Sequence, residues 1–132
     1  MSKTTERITS LAPLEMIDVV IEYFSRPGAK LSIIDDSKQC RYRNEVGRKC
    51  AVGVFIDDCD YSETIEGKSL DLIDGVYNVS NELILTSDHD KGRVLCHMQA
   101  LHDNSTSVDK LLEVLFTLRE RVVAYGVPEF LD

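Results

Sequence analysis

Seven consecutive residues, Cys50-Ala51-Val52-Gly53-Val54-Phe55-Ile56, carry no charge, and Arg48 and Lys49 stand directly before them. An apolar run of this length has to be covered on more than one face, so the fold of this chain is organised around it. Val, Phe and Ile favour a strand, but a short apolar run also reads as the start of a buried helix, and both readings stay open. Upstream, Cys40-Arg41-Tyr42-Arg43 alternates as a strand does, and Asn44-Glu45-Val46-Gly47 supplies turn chemistry. A hairpin over that turn sets Cys40 opposite, or next to, residue 50 or 51. Asp57-Asp58-Cys59-Asp60-Tyr61 then closes the segment with a polar turn.

Around this centre the period is helical. Ser10 is placed to cap a first helix, Pro13 suits its first turn, and Leu14, Ile17, Val20, Ile21 and Phe24 make its apolar stripe, stopped by Pro27-Gly28. Leu31-Ser32-Ile33-Ile34 alternates weakly, as a short strand would. Ser69 is expected to cap one or two helical turns through Leu70, Leu72 and Ile73, ended by Gly75, and Glu82-Leu83-Ile84-Leu85 reads as strand or helix. Ser87 followed by Asp88 and Asp90 opens a helix whose face is Val94, Leu95, Met98 and Leu101, with His102 on its flank. After the break at Asn104-Ser105-Thr106-Ser107, the stripe Leu111, Leu115, Leu118, Val122 and Tyr125 marks a last helix, stopped by Gly126 and Pro128. The expected fold is α+β: one domain over residues 1–132, with a small antiparallel sheet or hairpin packed against three to four helices and residues 1–9 a flexible lead-in.

Charge narrows the partners. With 132 residues, 43% apolar and 29% charged, the chain has the composition of a globular domain long enough to bury a core. A net charge of −8 argues against general nucleic-acid affinity, which needs clustered Lys and Arg. No apolar run approaches the ~18 residues of a membrane span. The N-terminus has no apolar signal core, so the chain is expected to stay where it is made. Residues 56–90 hold ten acids and one base, whereas 38–49 hold five bases and one acid. Internal pairing of the two segments is the plain reading, and a basic finger on an acidic partner or a phosphate is the sharper one.

Residues of this chain suggest three kinds of chemistry. Cys40, Cys50 and Cys59 with a histidine have the softness of zinc ligands, but intervals of ten and nine residues are not those of a zinc knuckle, so reduced thiols without metal or cofactor are expected. Cys50 beside Lys49 has the setting of an activated thiol, with His102 as base and Asp103 as its orienter, against the alternative of a packed thiol and a hydrogen-bonded helix-end histidine. Asp57, Asp58 and Asp60 after an apolar run sit where magnesium ligands often do, yet they lack a calcium-loop or Walker pattern and read as a solvated turn.

Cys40-x-Tyr42-Arg43, Gly47-Arg48-Lys49-Cys50-Ala51-Val52-Gly53-x-x-Ile56-x-Asp58, Tyr61, Glu66-Gly67, Gln99-x-Leu101-His102-Asp103 and Tyr125-Gly126 form an ordered set. In it the chain resembles a family of small uncharacterised proteins carried by phages, prophages and some bacteria. The resemblance runs over residues 38–126. Such proteins often carry a second Cys after the glycine and a Pro before the Asp, where this chain has Val54 and Asp57. The resemblance implies a cytoplasmic life in a bacterial host and no particular activity.

The leading expectation is therefore a small acidic accessory protein that binds a host or viral protein through Asp57, Asp58, Asp60, Glu63 and Glu66. The alternative is a thiol-dependent hydrolase or transferase using Cys50, His102 and Asp103. A homodimer formed through the hairpin is a third possibility.

Overall fold

The structure, a computed structural model, describes residues 2–32, 41–44, 47–68, 70–73, 76–80 and 83–128. Three helices form its body. α2 (Pro13–Phe24) starts on Pro13, whose missing N–H costs nothing at that position, and the Ala12 N–H donates to Glu15 Oε1 at 2.9 Å. α3 (His89–Asn104) is capped by Asp88, which accepts the Lys91 N–H at 3.1 Å. α4 (Val108–Tyr125) is capped by Ser107, which accepts the Lys110 N–H at 3.1 Å, and it ends at Gly126, where φ of +83° suits a residue without a β-carbon. The apolar stripes face one another: Met16, Ile17, Val20 and Phe24 of α2, Val94, Leu95 and Met98 of α3, and Leu111, Leu115 and Leu118 of α4 are all buried. Each such side chain contributes about 1.5–3 kcal/mol on leaving water. At the rim, Arg119 Nε ties α4 to Asp18 of α2 at 2.6 Å.

A further helix, α1 (Lys3–Thr9), precedes the body, so residues 3–9 are an element and not a lead-in. Ser2 caps it, accepting the Thr5 N–H at 3.1 Å, and Ser10 closes it with its hydroxyl on the Arg7 carbonyl, three residues short of the helix start that Ser10 was expected to cap. Thr4 and Ile8 are fully buried.

The sheet is a three-stranded antiparallel meander, β1 (Asp71–Ile73), β2 (Val76–Ser80) and β3 (Leu83–Ile84). Leu72 pairs with Tyr77, Asn78 with Ile84, and Ser80 with Leu83 after a shift of register. β2 has the period of two, with Tyr77 and Val79 inward. Where helical turns were expected through Leu70, Leu72 and Ile73, residues 71–73 are strand, because their backbone groups pair with β2 rather than with their own neighbours. Ser69 and Gly75, the expected cap and stop, lie outside the described residues, as do Ile33 and Ile34. The Tyr77 ring packs against α3 at Gly92, where a β-carbon would stand 1.6 Å from its Cε2.

The apolar run resolves into neither a strand nor a regular helix. After a single antiparallel bridge, Arg43 with Lys49, the chain curls: the Val54 N–H reaches the Cys50 carbonyl at 3.0 Å and the Phe55 N–H the Val52 carbonyl at 3.0 Å. A 3₁₀ turn covers Gly53–Phe55, and every residue from 50 to 56 is buried. A run that is apolar on all sides is best served by a tight turn inside the core, which hides both faces while several of its amides bond locally. The result is an α+β domain with the cysteine turn wedged between α1, α3 and the loop that carries Tyr42.

Candidate functional site

The turn that leads into the cysteine segment is built from its own residues. The Asn44 N–H donates to the Arg48 carbonyl at 2.9 Å, Asn44 Oδ1 accepts the Arg48 N–H at 2.9 Å, and Gly47 takes φ of +83°. The Cys50 N–H then meets the Tyr42 carbonyl at 3.3 Å. Gly53 passes so close to that carbonyl that a β-carbon there would overlap it, which explains the glycine.

Glu66 is the polar hub of this side. Its carboxylate accepts the Tyr42 N–H at 2.9 Å, the Arg43 N–H at 3.0 Å and the Tyr61 hydroxyl at 2.6 Å, with Arg41 Nε 3.9 Å away. Only 9% of its side chain is exposed. Burial, and then this carboxylate, push the Tyr61 hydroxyl up to about 12. Arg43 donates to the Ile56 carbonyl at 2.8 Å, pairs with Asp58 at 2.6 Å and lies 4.6 Å over the Tyr61 ring. Arg41 and Arg43, of the basic residues before the cysteine segment, are thus paired with the acidic segment.

The acidic residues separate into two groups. Asp60 Oδ2 accepts both the N–H and the hydroxyl of Thr4, at 2.8 and 2.6 Å, while Thr4 Oγ1 accepts the Asp57 N–H at 2.8 Å, so Asp60 fastens α1. Glu66, like Asp60, faces inward to this work. Asp57, Asp58 and Glu63 remain at the surface, with the Asp58 side chain 84% exposed. Asp57 accepts the Cys59 N–H, which holds its carboxyl below the usual range.

A second polar chain crosses the buried face of the cysteine turn. The Val52 N–H donates to Gln99 Oε1 at 3.0 Å, and Gln99 Nε2 donates to Asp103 Oδ1 at 2.8 Å. Asp103 Oδ1 lies 3.2 Å from His102 Nδ1, and His102 Nε2 accepts the Ser32 N–H at 3.4 Å. That donor assigns the ring proton to Nδ1, facing the carboxylate. The His102 ring is fully buried and tilts against Phe24, centroids 5.8 Å apart.

The proposed thiol trio is therefore only partly assembled. His102 and Asp103 meet, but the imidazole nitrogen a thiol would use already holds a backbone amide. Cys50 is fully buried, its sulfur accepts the Gly53 N–H at 3.3 Å, and burial drives its thiol pKa up, away from the thiolate. Of the suggested metal ligands, Cys40 lies outside the described residues, Cys50 is buried and Cys59 is exposed. Among the described residues no group of three or more His, Cys, Asp or Glu is disposed to hold a metal. No described helix is long and apolar enough to cross a membrane.

Gln99 and Ser32 are the residues that sequence reasoning left without a role. Gln99 belongs to an ordered motif with His102 and Asp103, and one helical turn between positions 99 and 103 was the signal that the two side chains could meet. Ser32 carried no such signal. Its hydroxyl, buried, has no partner among the described residues. The chain matches no family model, no curated protein and no solved structure.

Proposed function

We propose that this is a small accessory protein of the phage type that acts in the cytoplasm of a bacterial host by binding a host or viral protein through the acidic surface of Asp57, Asp58 and Glu63. The observation that carries this reading is the setting of Asp58. It is 84% exposed, yet its carboxylate is held 2.6 Å from an Arg43 guanidinium that is itself fixed by the Ile56 carbonyl and the Tyr61 ring. A charge presented on a rigid support loses less entropy on binding than one on a loose loop. Asp60 and Glu66 act indirectly, by fixing the segment. Chemistry at Cys50 has less support, since its sulfur is sealed and its base is occupied.

The test is capture of a partner from the natural host at increasing salt, by the wild type and by the double variant Asp58→Asn, Glu63→Gln. Capture that fades with salt and is lost in a double variant of unchanged melting temperature supports the acidic surface. Salt-insensitive capture, or capture the double variant retains, removes it.

A further inference from the structure

Between the end of α2 and the Asn44 turn, the chain carries a feature opposite in sign to its net charge of −8. The C-terminal end of α2 and the turn residues Gly47 and Arg48 enclose a groove of about 220 Å³. Its lining includes Tyr23, Arg26, Lys30, Gly47 and Arg48, and none of the described lining residues is acidic. Lys30 and Arg48 have no carboxylate within ion-pair distance among the described residues, and Arg26 meets only Glu22, an exposed pair at 3.8 Å. An exposed pair of this kind leaves the guanidinium largely available.

The walls are fixed. The Tyr23 hydroxyl accepts the Lys49 N–H at 3.2 Å, joining α2 directly to the Asn44 turn. Arg26 lies 5.6 Å over the Tyr23 ring, and the Arg26 carbonyl accepts the Ala29 N–H at 3.1 Å, which closes the turn carrying Lys30. Asn44 Oδ1 holds the Arg48 amide at 2.9 Å. Three cationic residues line this one groove, and among the described residues only Arg26 has a carboxylate within ion-pair distance, the exposed Glu22. Two guanidinium forks and an ammonium match the oxygens of a phosphate dianion better than a single carboxylate, and the space fits a compact head group rather than a protein surface.

We propose that the groove formed by Tyr23, Arg26, Lys30, Gly47 and Arg48 binds the phosphate group of a small phosphate monoester. It lies apart from the acidic surface and stands whether or not that surface binds a partner.

The experiment is a backbone-amide NMR titration of the whole chain with inorganic phosphate, against sodium chloride of equal ionic strength, followed by phosphoserine, adenosine monophosphate and a hexathymidylate. Saturable shifts confined to Gly28, Ala29, Gly47 and Arg48, produced by phosphate and a monoester but not by chloride, are the expected result. Arg48→Gln and Lys30→Gln, surface changes that leave the melting temperature in place, each weaken binding by roughly fivefold or more, and Lys3→Gln on α1 leaves it unchanged. Of the two monoesters, the one that binds tighter names the source of the phosphate. Equal shifts with chloride, unchanged affinity in Arg48→Gln, or far tighter binding of the hexathymidylate, which would assign the face to nucleic acid, overturns the proposal.

Discussion

The side-chain carbonyl of Gln99 accepts the Val52 N–H at 3.0 Å, and this bond fastens the cysteine turn to α3. Val52 is fully buried, so no water stands ready to replace the acceptor. Gln99→Leu is expected to destabilise the fold by about 1–3 kcal/mol, the cost of an orphaned buried amide. Urea denaturation measures it, and a loss below about 0.5 kcal/mol would show that the amide finds another partner.

Glu66→Ala removes the acceptor of two backbone amides and of the Tyr61 hydroxyl at once. The expected loss is about 2–4 kcal/mol, larger than that of the exposed Glu63→Ala, which should stay within about 0.5 kcal/mol. Equal losses in the two variants would mean that Glu66 is not the hub.

Tyr61 gives the fold an alkaline limit. Its hydroxyl is raised to about 12, above the ordinary value near 10, so the folded state holds the proton more tightly than the unfolded chain. The associated stability is complete below pH ~10 and is lost as pH rises toward about 12. Phenolate absorbance should show Tyr61 among the last of the five tyrosines to ionise, and Tyr61→Phe should flatten the fall in stability over that window. A Tyr61 that titrates at its ordinary value in the folded protein contradicts the burial described.

Alkylation distinguishes a sealed thiol from a working one. Exposed Cys59 should react promptly with iodoacetamide in the native protein, and buried Cys50 only as the fold opens. Peptide mass mapping over time reads the difference. Native-state labelling of Cys50 at the rate of Cys59 would return the thiol to consideration as a nucleophile.

Two glycines should differ in how they tolerate a methyl group. At Gly92 the obstacle is the Tyr77 side chain, whereas at Gly53 it is the Tyr42 backbone carbonyl. Gly92→Ala should lose about 1–3 kcal/mol, partly relieved when Tyr77 is also replaced by Leu, and Gly53→Ala should lose more because backbone has nowhere to turn. Chemical denaturation of the three variants and the double variant checks this, and strict additivity of Gly92→Ala with Tyr77→Leu would dissociate the two residues.

The helices were legible because their information is local. Leu111, Leu115 and Leu118 recur at the spacing of one helix face, and that face is buried. Helix starts were less certain by a residue or two: Asp88 rather than Ser87, and Pro13 behind Ala12 rather than behind Ser10, since several neighbouring side chains are able to cap and the backbone selects one. Tyr125 continues the α4 stripe but is 89% exposed, because the helix outruns the body it packs on.

By itself the sequence determined an α+β chain, the positions of α2, α3 and α4, and a segment at 50–56 that had to be buried, because periodicity and hydrophobicity are carried by neighbouring residues. Only the tertiary structure decided that the 50–56 segment is a tight turn, that residues 71–73 form a strand, and that Glu66 and Asp60 turn inward while Asp58 stays out. Those outcomes rest on hydrogen bonds to Tyr42, Arg43, Thr4 and Gln99, which lie far along the chain. A carboxylate looks alike in sequence whether it meets water or a buried amide, and the difference is made by what the fold brings beside it.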